Sequence, residues 1–178
     1  MDRDALRSLQ EPLKHRYRDD PEAAIVTLCA SGTLDDEITC TVQTGSALAT
    51  AGLHPATGGD GLSLCSGDML LEALVACAGV TLRAVATALE VPVAGGTVTA
   101  QGVLDFRGTL AVQGDAPVGF RSIALHFELD APDADPEQLA TLLKLTERYC
   151  VVLQTLRGDT ELTVAASPGA VSAPAPPG

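Results

Sequence analysis

The sequence predicts a single α+β domain, and three observations carry that prediction. Residues 66–90 and 137–157 place apolar side chains at helical spacing, whereas residues 24–30, 37–44, 97–106 and 122–130 are β-branched or alternate with the period of a strand. Glycine and proline punctuate the joins between them. The 178 residues, 46% hydrophobic and 19% charged, suffice for one hydrophobic core and leave little room for a second.

Taken in order, residues 4–17 alternate charge with Leu6, Leu9 and Leu13, and Asp20-Pro21 then closes the pattern, so residues 1–22 read as an N-terminal helical arm. In the next pair of segments Ile38, Cys40 and Val42 alternate with Thr39, Thr41 and Gln43, which predicts a hairpin turning around Gly32. Residues 45–64 are glycine-rich and read as a loop, without the strand context that a phosphate-cradling loop requires.

Residues 66–90 are the long helix. Ser66 suits its cap, Asp68 suits the positive end of the helix dipole, and Val91-Pro92 stops it, giving about 25 residues and roughly 37 Å. Glu72, Arg83 and Glu90 fall on one narrow stripe, and Cys77 lies about 140° from Glu72, so Cys77 faces the interior. The stretch is apolar enough to raise a membrane-spanning reading. Glu72 and Arg83 inside it would each cost about 2.5 to 3.5 kcal/mol near a bilayer centre, so a core helix and no membrane partner are expected instead.

Residues 97–106 and 122–130 read as antiparallel neighbours joined by a turn-rich connection over 108–119. Beyond Pro132 and Pro136, Leu139, Leu142, Leu143, Thr146, Tyr149, Cys150 and Leu153 recur at three-and-four spacing, one amphipathic helix over 137–157 ended by Gly158 with Cys150 on its buried side. Residues 161–166 read as a last short strand. The domain thus spans 23–166, and residues 167–178, with four prolines, form a disordered tail. One antiparallel sheet covers only one side of a helix that is apolar around most of its circumference. A second copy of the chain is the simplest other layer, so a homodimer is expected.

The formal charge of −12, with Lys14 and Lys144 the only lysines, argues against nucleic acid as a partner. The opening Met1-Asp2-Arg3-Asp4 stays polar to Glu22 without a signal-peptide pattern, so a cytoplasmic location is expected. In that reducing compartment the odd set Cys29, Cys40, Cys65, Cys77 and Cys150 reads as buried or reactive thiols rather than a disulfide framework. Cys77 and Cys150 sit on the two most apolar helical stretches. If those helices pack face to face, the thiols share one dry pocket, an arrangement that reduces peroxides without metal or cofactor. The alternative is that both are small core residues. Cys65, at the start of the long helix, is a second-choice nucleophile, and Cys29 and Cys40 read as strand core. His15, His54 and His126 have no shared metal spacing, and no Gly-x-Ser-x-Gly elbow occurs, so neither a zinc site nor a serine hydrolase is expected.

The run Thr57-Gly58-Gly59-Asp60-Gly61, then Ser66-Gly67-Asp68-Met69-Leu70-Leu71-Glu72-Ala73-Leu74-Val75-Ala76-Cys77 on to Thr81-Leu82-Arg83, and later Arg148-Tyr149-Cys150-Val151-Val152, resembles the OsmC/Ohr family of osmotically inducible and organic hydroperoxide resistance proteins. The resemblance covers residues 24 to 166. It implies an intertwined α+β homodimer, with antiparallel sheets packed around long central helices, and no cofactor. By position, it makes Cys77 the peroxide-attacking cysteine and Cys150 the resolving one, with a small hydroperoxide as substrate and an external thiol as reductant. Gly67 stands where the family usually has a glutamate that helps hold an arginine against the thiolate, and Val151 where proline commonly follows the resolving cysteine. Asp68 and Glu72 are the approximate substitutes for that glutamate, and Arg16, Arg18 and Arg83 the nearest candidates for the arginine.

Attack on a peroxide needs thiolate, and burial disfavours it, so a neighbouring cation is expected to outweigh desolvation of Cys77. An apolar pocket would favour organic hydroperoxides, since each buried methylene contributes about 0.8 kcal/mol. Two function classes follow: a cysteine-based hydroperoxide reductase, or a non-catalytic dimer holding a small hydrophobic ligand in the cleft between subunits.

Overall fold

The structure, a computed structural model, describes residues 2–19, 25, 32–34, 39–44, 47–111 and 115–166. Helix α1 (Arg3–Asp19) starts at Asp2, whose carboxylate accepts the Ala5 N–H at 2.8 Å. Strands β1 (Gly32–Leu34), β2 (Thr39–Thr44), β3 (Ala47–Gly52) and β4 (Leu64–Cys65) make one sheet in that order, antiparallel except for the parallel β3–β4 pair. Leu34 stands opposite Cys40, so the hairpin turn falls after Leu34 and not at Gly32, which pairs with Val42 inside the ladder. Gly32 is held by its ladder partner, which outweighs the preference of glycine for turns. The predicted strand over 24–30, with Cys29, lies outside the described residues apart from Ile25, which is exposed.

The segment expected to be loop over 45–64 contains β3 and a single 3-10 turn, Pro55–Thr57. Ala47–Gly52 has weak strand propensity of its own, and its six-residue register with β2 makes it a strand. Beside β3, β4 leads without a break into α2 (Ser66–Leu89), so the sheet fixes where the long helix begins. Cys65, rather than Ser66, occupies the N-cap position and makes no side-chain capping bond. The helix ends at Glu90, which turns left-handed (φ 56°) and donates its N–H to the Ala86 and Thr87 carbonyls. Arg3 holds the Glu90 carboxylate at 2.6 Å and ties α1 to that end of the helix.

Along α2, Leu74, Ala78, Leu82 and Ala86 form the buried stripe. Their four-residue spacing lines them up on one face, and alternating leucine with alanine lets neighbouring elements approach closely. That face packs on β5 (Gly95–Val103), α4 (Pro136–Tyr149) and α5 (Val151–Arg157). Strand β5 pairs antiparallel with β6 (Ser122–Asp130), from Gly95 opposite Asp130 to Val103 opposite Ser122. Val98, Ala100, Ile123, Leu125 and Phe127 are the inward side of this ribbon, as their alternation predicts. Between the two strands lies α3 (Phe106–Thr109). Phe120 rests on Gly102: a Cβ there would stand 2.2 Å from the Phe120 ring, so only glycine admits the contact.

Leu74 and Leu142 are fully buried, each contributing about 1.5 to 3 kcal/mol relative to an exposed side chain. Two differences from the predicted elements stand out at the C-terminal end. The helix expected over 137–157 is two helices, α4 and α5, separated by Cys150 in extended conformation (φ −71°, ψ 106°). Residues 161–166 form no strand among the described residues, and Leu162 and Val164 are 87% and 98% exposed. A six-residue segment cannot hold strand geometry without a partner edge to complete its hydrogen bonds.

Candidate active site

Cys77 lies in the middle of α2, half-buried, directly before Ala78 of the buried stripe. Cys150 is fully buried in the same cluster as Leu74, Ala78 and Leu153. Both thiols are free. Cys150 closes one helix and opens the next: its N–H donates to the Thr146 carbonyl at 2.9 Å, and its carbonyl accepts the Gln154 N–H at 2.9 Å. No glycine or proline marks this break. The residues after it, Val151 and Val152, are β-branched and weak helix formers, and Cys150 is held extended while packed against α2.

The consequence is chemical. A new helix start leaves its first N–H groups without partners in the helix, and the amides of Val152 and Val151 act to lower the pKa of the Cys77 thiol. The Cys150 thiol and the Thr81 hydroxyl, one turn further along α2, act in the same direction. Burial is the largest single influence on Cys77 and pushes its pKa up. The four donors together outweigh it and bring the thiol below its ordinary value. Cys150 moves the other way: burial raises it first, the Leu153 N–H works against that, and its bond to Cys77 and the charge there raise it further. Of the two thiols, Cys77 is therefore the first to lose its proton and Cys150 the one that keeps it.

A cation was the expected source of this stabilisation, but the groups that lower Cys77 are two amides, a thiol and a hydroxyl. No guanidinium is among them in the described residues. Arg83 turns away: its Nη1 donates to the Val93 carbonyl at 2.6 Å and its Nη2 to that of Ala94 at 3.4 Å, tying the end of α2 to the chain entering β5. Arg16 and Arg18 belong to α1, and their side chains lie outside the described residues. Asp68 stands exposed in the first turn of α2, where it complements the helix dipole. Glu72, also exposed, shares a shallow depression with Asp68, Val75 and Ala76 on the side of the helix away from Cys77. Gly67 lies in the first turn of α2, where a Cβ would make ordinary van der Waals contact with Phe120, the Cys65 sulfur and Leu104 at 3.5 to 3.6 Å.

The other candidates lie apart from the pair. Cys65 is 12 residues before Cys77 on α2, roughly 18 Å along the axis. Cys40 faces Leu34 and Ala51 across the sheet. His54 accepts the Ala56 N–H at its Nδ1 and stacks on Phe106 with ring centroids 5.0 Å apart, while His126 lies near Glu128 on the exposed face of β6. The described residues contain no group of three potential metal ligands. Sequence reasoning missed Thr81 and the two valine amides. Thr81 had a signal, a polar residue four after Cys77 in an apolar helix, whereas backbone amides have none.

Next to the pair, an open groove of about 620 Å³ is walled by Leu74, Ile123, Leu125, Phe127, Leu153 and Leu156, with Glu147 and Arg157 also lining it and joined by a 3.0 Å ion pair. Leu74 and Leu153 connect it to the cluster around Cys150.

The fold has known counterparts. An OsmC-like protein from Mycoplasma pneumoniae superposes with a TM-score of 0.63 at 19% identity, over 75% of this chain and 89% of that one. An organic hydroperoxide resistance protein from Legionella pneumophila gives 0.58 at 16% identity, over 76% and 92%, and one from Bacillus subtilis 0.51 at 18%, over 75% and 93%. At these identities the likeness speaks for the fold. No curated protein matches the sequence closely enough to serve as a relative. The family profile described as OsmC-like protein matches residues 58–165, more than half of the chain and both cysteine-bearing helical regions, and so the chain belongs to the OsmC family.

Proposed function

We propose that this protein is a thiol-dependent reductase of organic hydroperoxides, with Cys77 as the attacking and Cys150 as the resolving cysteine. The observation that carries the reading is the packing of Cys77 against the buried cluster that holds Cys150, with the Cys77 pKa lowered and that of Cys150 raised. The Cys77 thiolate attacks the terminal oxygen of the hydroperoxide, an S–O bond forms as the O–O bond breaks, and the alkoxide leaves and is protonated to the alcohol. Cys150 then attacks the sulfenic sulfur, and the disulfide closes with release of water. An external dithiol returns two electrons and two protons. The groove beside the pair suits an alkyl chain, which supports organic over inorganic peroxide. The Legionella pneumophila and Bacillus subtilis neighbours, both organic hydroperoxide resistance proteins, support the same chemistry.

A homodimer belongs to this reading, because Val80 on the outer side of α2 is 72% exposed and a second copy would cover it. Sedimentation should then give twice the monomer mass. The decisive assay is consumption of cumene hydroperoxide with a dithiol reductant. Wild type should turn over and Cys77→Ser should not. Equal, background-level consumption by both would end the proposal and favour the ligand-binding alternative, in which Cys77→Ser still binds a hydrophobic probe in the groove.

A further inference from the structure

In an uninterrupted helix over 137–157 the Glu147 carbonyl would accept the N–H of Val151, one turn on. Cys150 in extended conformation carries that N–H off the helix line. The carbonyl is capped instead by the side chain of Gln154, whose Nε2 donates to it at 2.7 Å. A second bond spans the same break, from Arg157 Nη1 to the Glu147 carboxylate at 3.0 Å.

Neither bond fits a continuous helix. At 1.5 Å per residue Gln154 would stand roughly 10 Å beyond Glu147 along the axis and Arg157 roughly 15 Å, out of reach of a glutamine amide and of an ion pair. Both contacts therefore favour the broken form alone, whereas the Val151 N–H competes for the same carbonyl only in the continuous one. The ion pair is exposed at both partners and contributes little. The glutamine cap is the stronger device, because it satisfies a carbonyl that the break itself orphans. The break in turn lets α4 and α5 both pack on α2, with Cys150 at their corner in the cluster that Cys77 joins. A straight helix would lift one arm from α2 and open the cluster at that corner.

We infer that Gln154 is a positioning residue, which by capping the Glu147 carbonyl holds the corner between α4 and α5 and keeps Cys150 beside Cys77, ready to close the disulfide. The inference rests on the proposed reaction for its purpose and on the 2.7 Å bond for its content. Gln154 is exposed, so its replacement leaves the core intact.

The test reads the disulfide without peroxide. The full-length chain is equilibrated with reduced and oxidised glutathione, two molecules of glutathione giving up two electrons and two protons as the Cys77–Cys150 disulfide opens to two thiols. Free thiols are then alkylated, and the peptides containing Cys77 and Cys150 are quantified by mass spectrometry. Gln154→Met keeps the length and helix propensity and removes the donor. At fixed glutathione the ratio of disulfide to dithiol should fall about three- to tenfold, the contribution of one hydrogen bond. Val151→Pro supplies the control, because proline brings no N–H with which to complete the continuous helix. In that background Gln154→Met should move the ratio by less than about twofold. A residue that served only overall stability would weaken the reduced and disulfide forms alike and leave the ratio in place. An unmoved ratio in Gln154→Met, or the same fall with and without Val151→Pro, would overturn the inference. The outcome separates from the fate of the reductase proposal. The expected fall in a chain that consumes no cumene hydroperoxide keeps the role of Gln154 and removes the activity, whereas normal turnover with an unmoved ratio does the reverse.

Discussion

Two acidic groups in this chain are lowered by different kinds of partner. Asp105, between β5 and α3, is surrounded by arginines: Arg107 binds it through Nε at 2.9 Å and Nη2 at 2.6 Å, and Arg121 stands at 3.7 Å. These contacts, led by the Arg107 side chain, bring the carboxyl down to about 2. Both guanidiniums are more than half exposed, so they keep much of their hydration while pairing. Cys77 is lowered too, but by amide, thiol and hydroxyl donors at the edge of the core. The contrast shows how location selects the partner. At the surface a guanidinium is inexpensive, whereas in the core it would need desolvation of its own, and amides at a helix start must find acceptors in any case.

The largest effect that would sharpen this contrast is on turnover. Cys150→Ser leaves the first attack possible but removes resolution, so catalytic cycling with a dithiol should fall by at least about tenfold while a Cys77 sulfenic acid becomes trappable with dimedone. Undiminished cycling would show that another thiol resolves Cys77. Next comes the dryness of the pocket: Leu74→Ala should cost about 2 to 5 kcal/mol in denaturant unfolding, since Leu74 is fully buried beside the pair. A cost below about 1 kcal/mol would mean that the cluster is already loosely packed.

A smaller effect isolates one amide. Val151 is the first residue of α5, where proline fits a helix, and proline lacks the N–H that donates to Cys77. Val151→Pro should therefore raise the pH midpoint of Cys77 alkylation by iodoacetamide, and an unmoved midpoint would remove this amide from the site. The smallest concerns Asp105. Its folded-state pKa is depressed, so its contribution to stability is complete above the ordinary carboxylate value near 4 and is lost as pH falls toward about 2. Asp105→Asn should flatten the acid limb of a stability profile in that window. Added salt should weaken the Asp105 contribution and leave the Cys77 titration nearly unchanged, and equal salt sensitivity at both sites would break the comparison.

Much of the framework was readable in advance. The long helix, the β5–β6 ribbon and the inward side of each followed from periodicity, which reports on burial directly. The inward placement of Cys77 and Cys150 followed too. Their meeting did not, because it depends on how α2 packs against the segment near Cys150. The hairpin turn and β3 were misplaced for a related reason: a strand of small residues such as Ala47–Gly52 exists through its partner's ladder.

The chain by itself determined which residues turn inward and which thiols share the apolar faces, since side-chain spacing alone sets those. The tertiary structure decided what surrounds the sulfur. Packing interrupts the helix at Cys150 and delivers the N–H groups of Val151 and Val152 to Cys77. Backbone donors are the same at every residue except proline, so their use leaves no mark in the sequence.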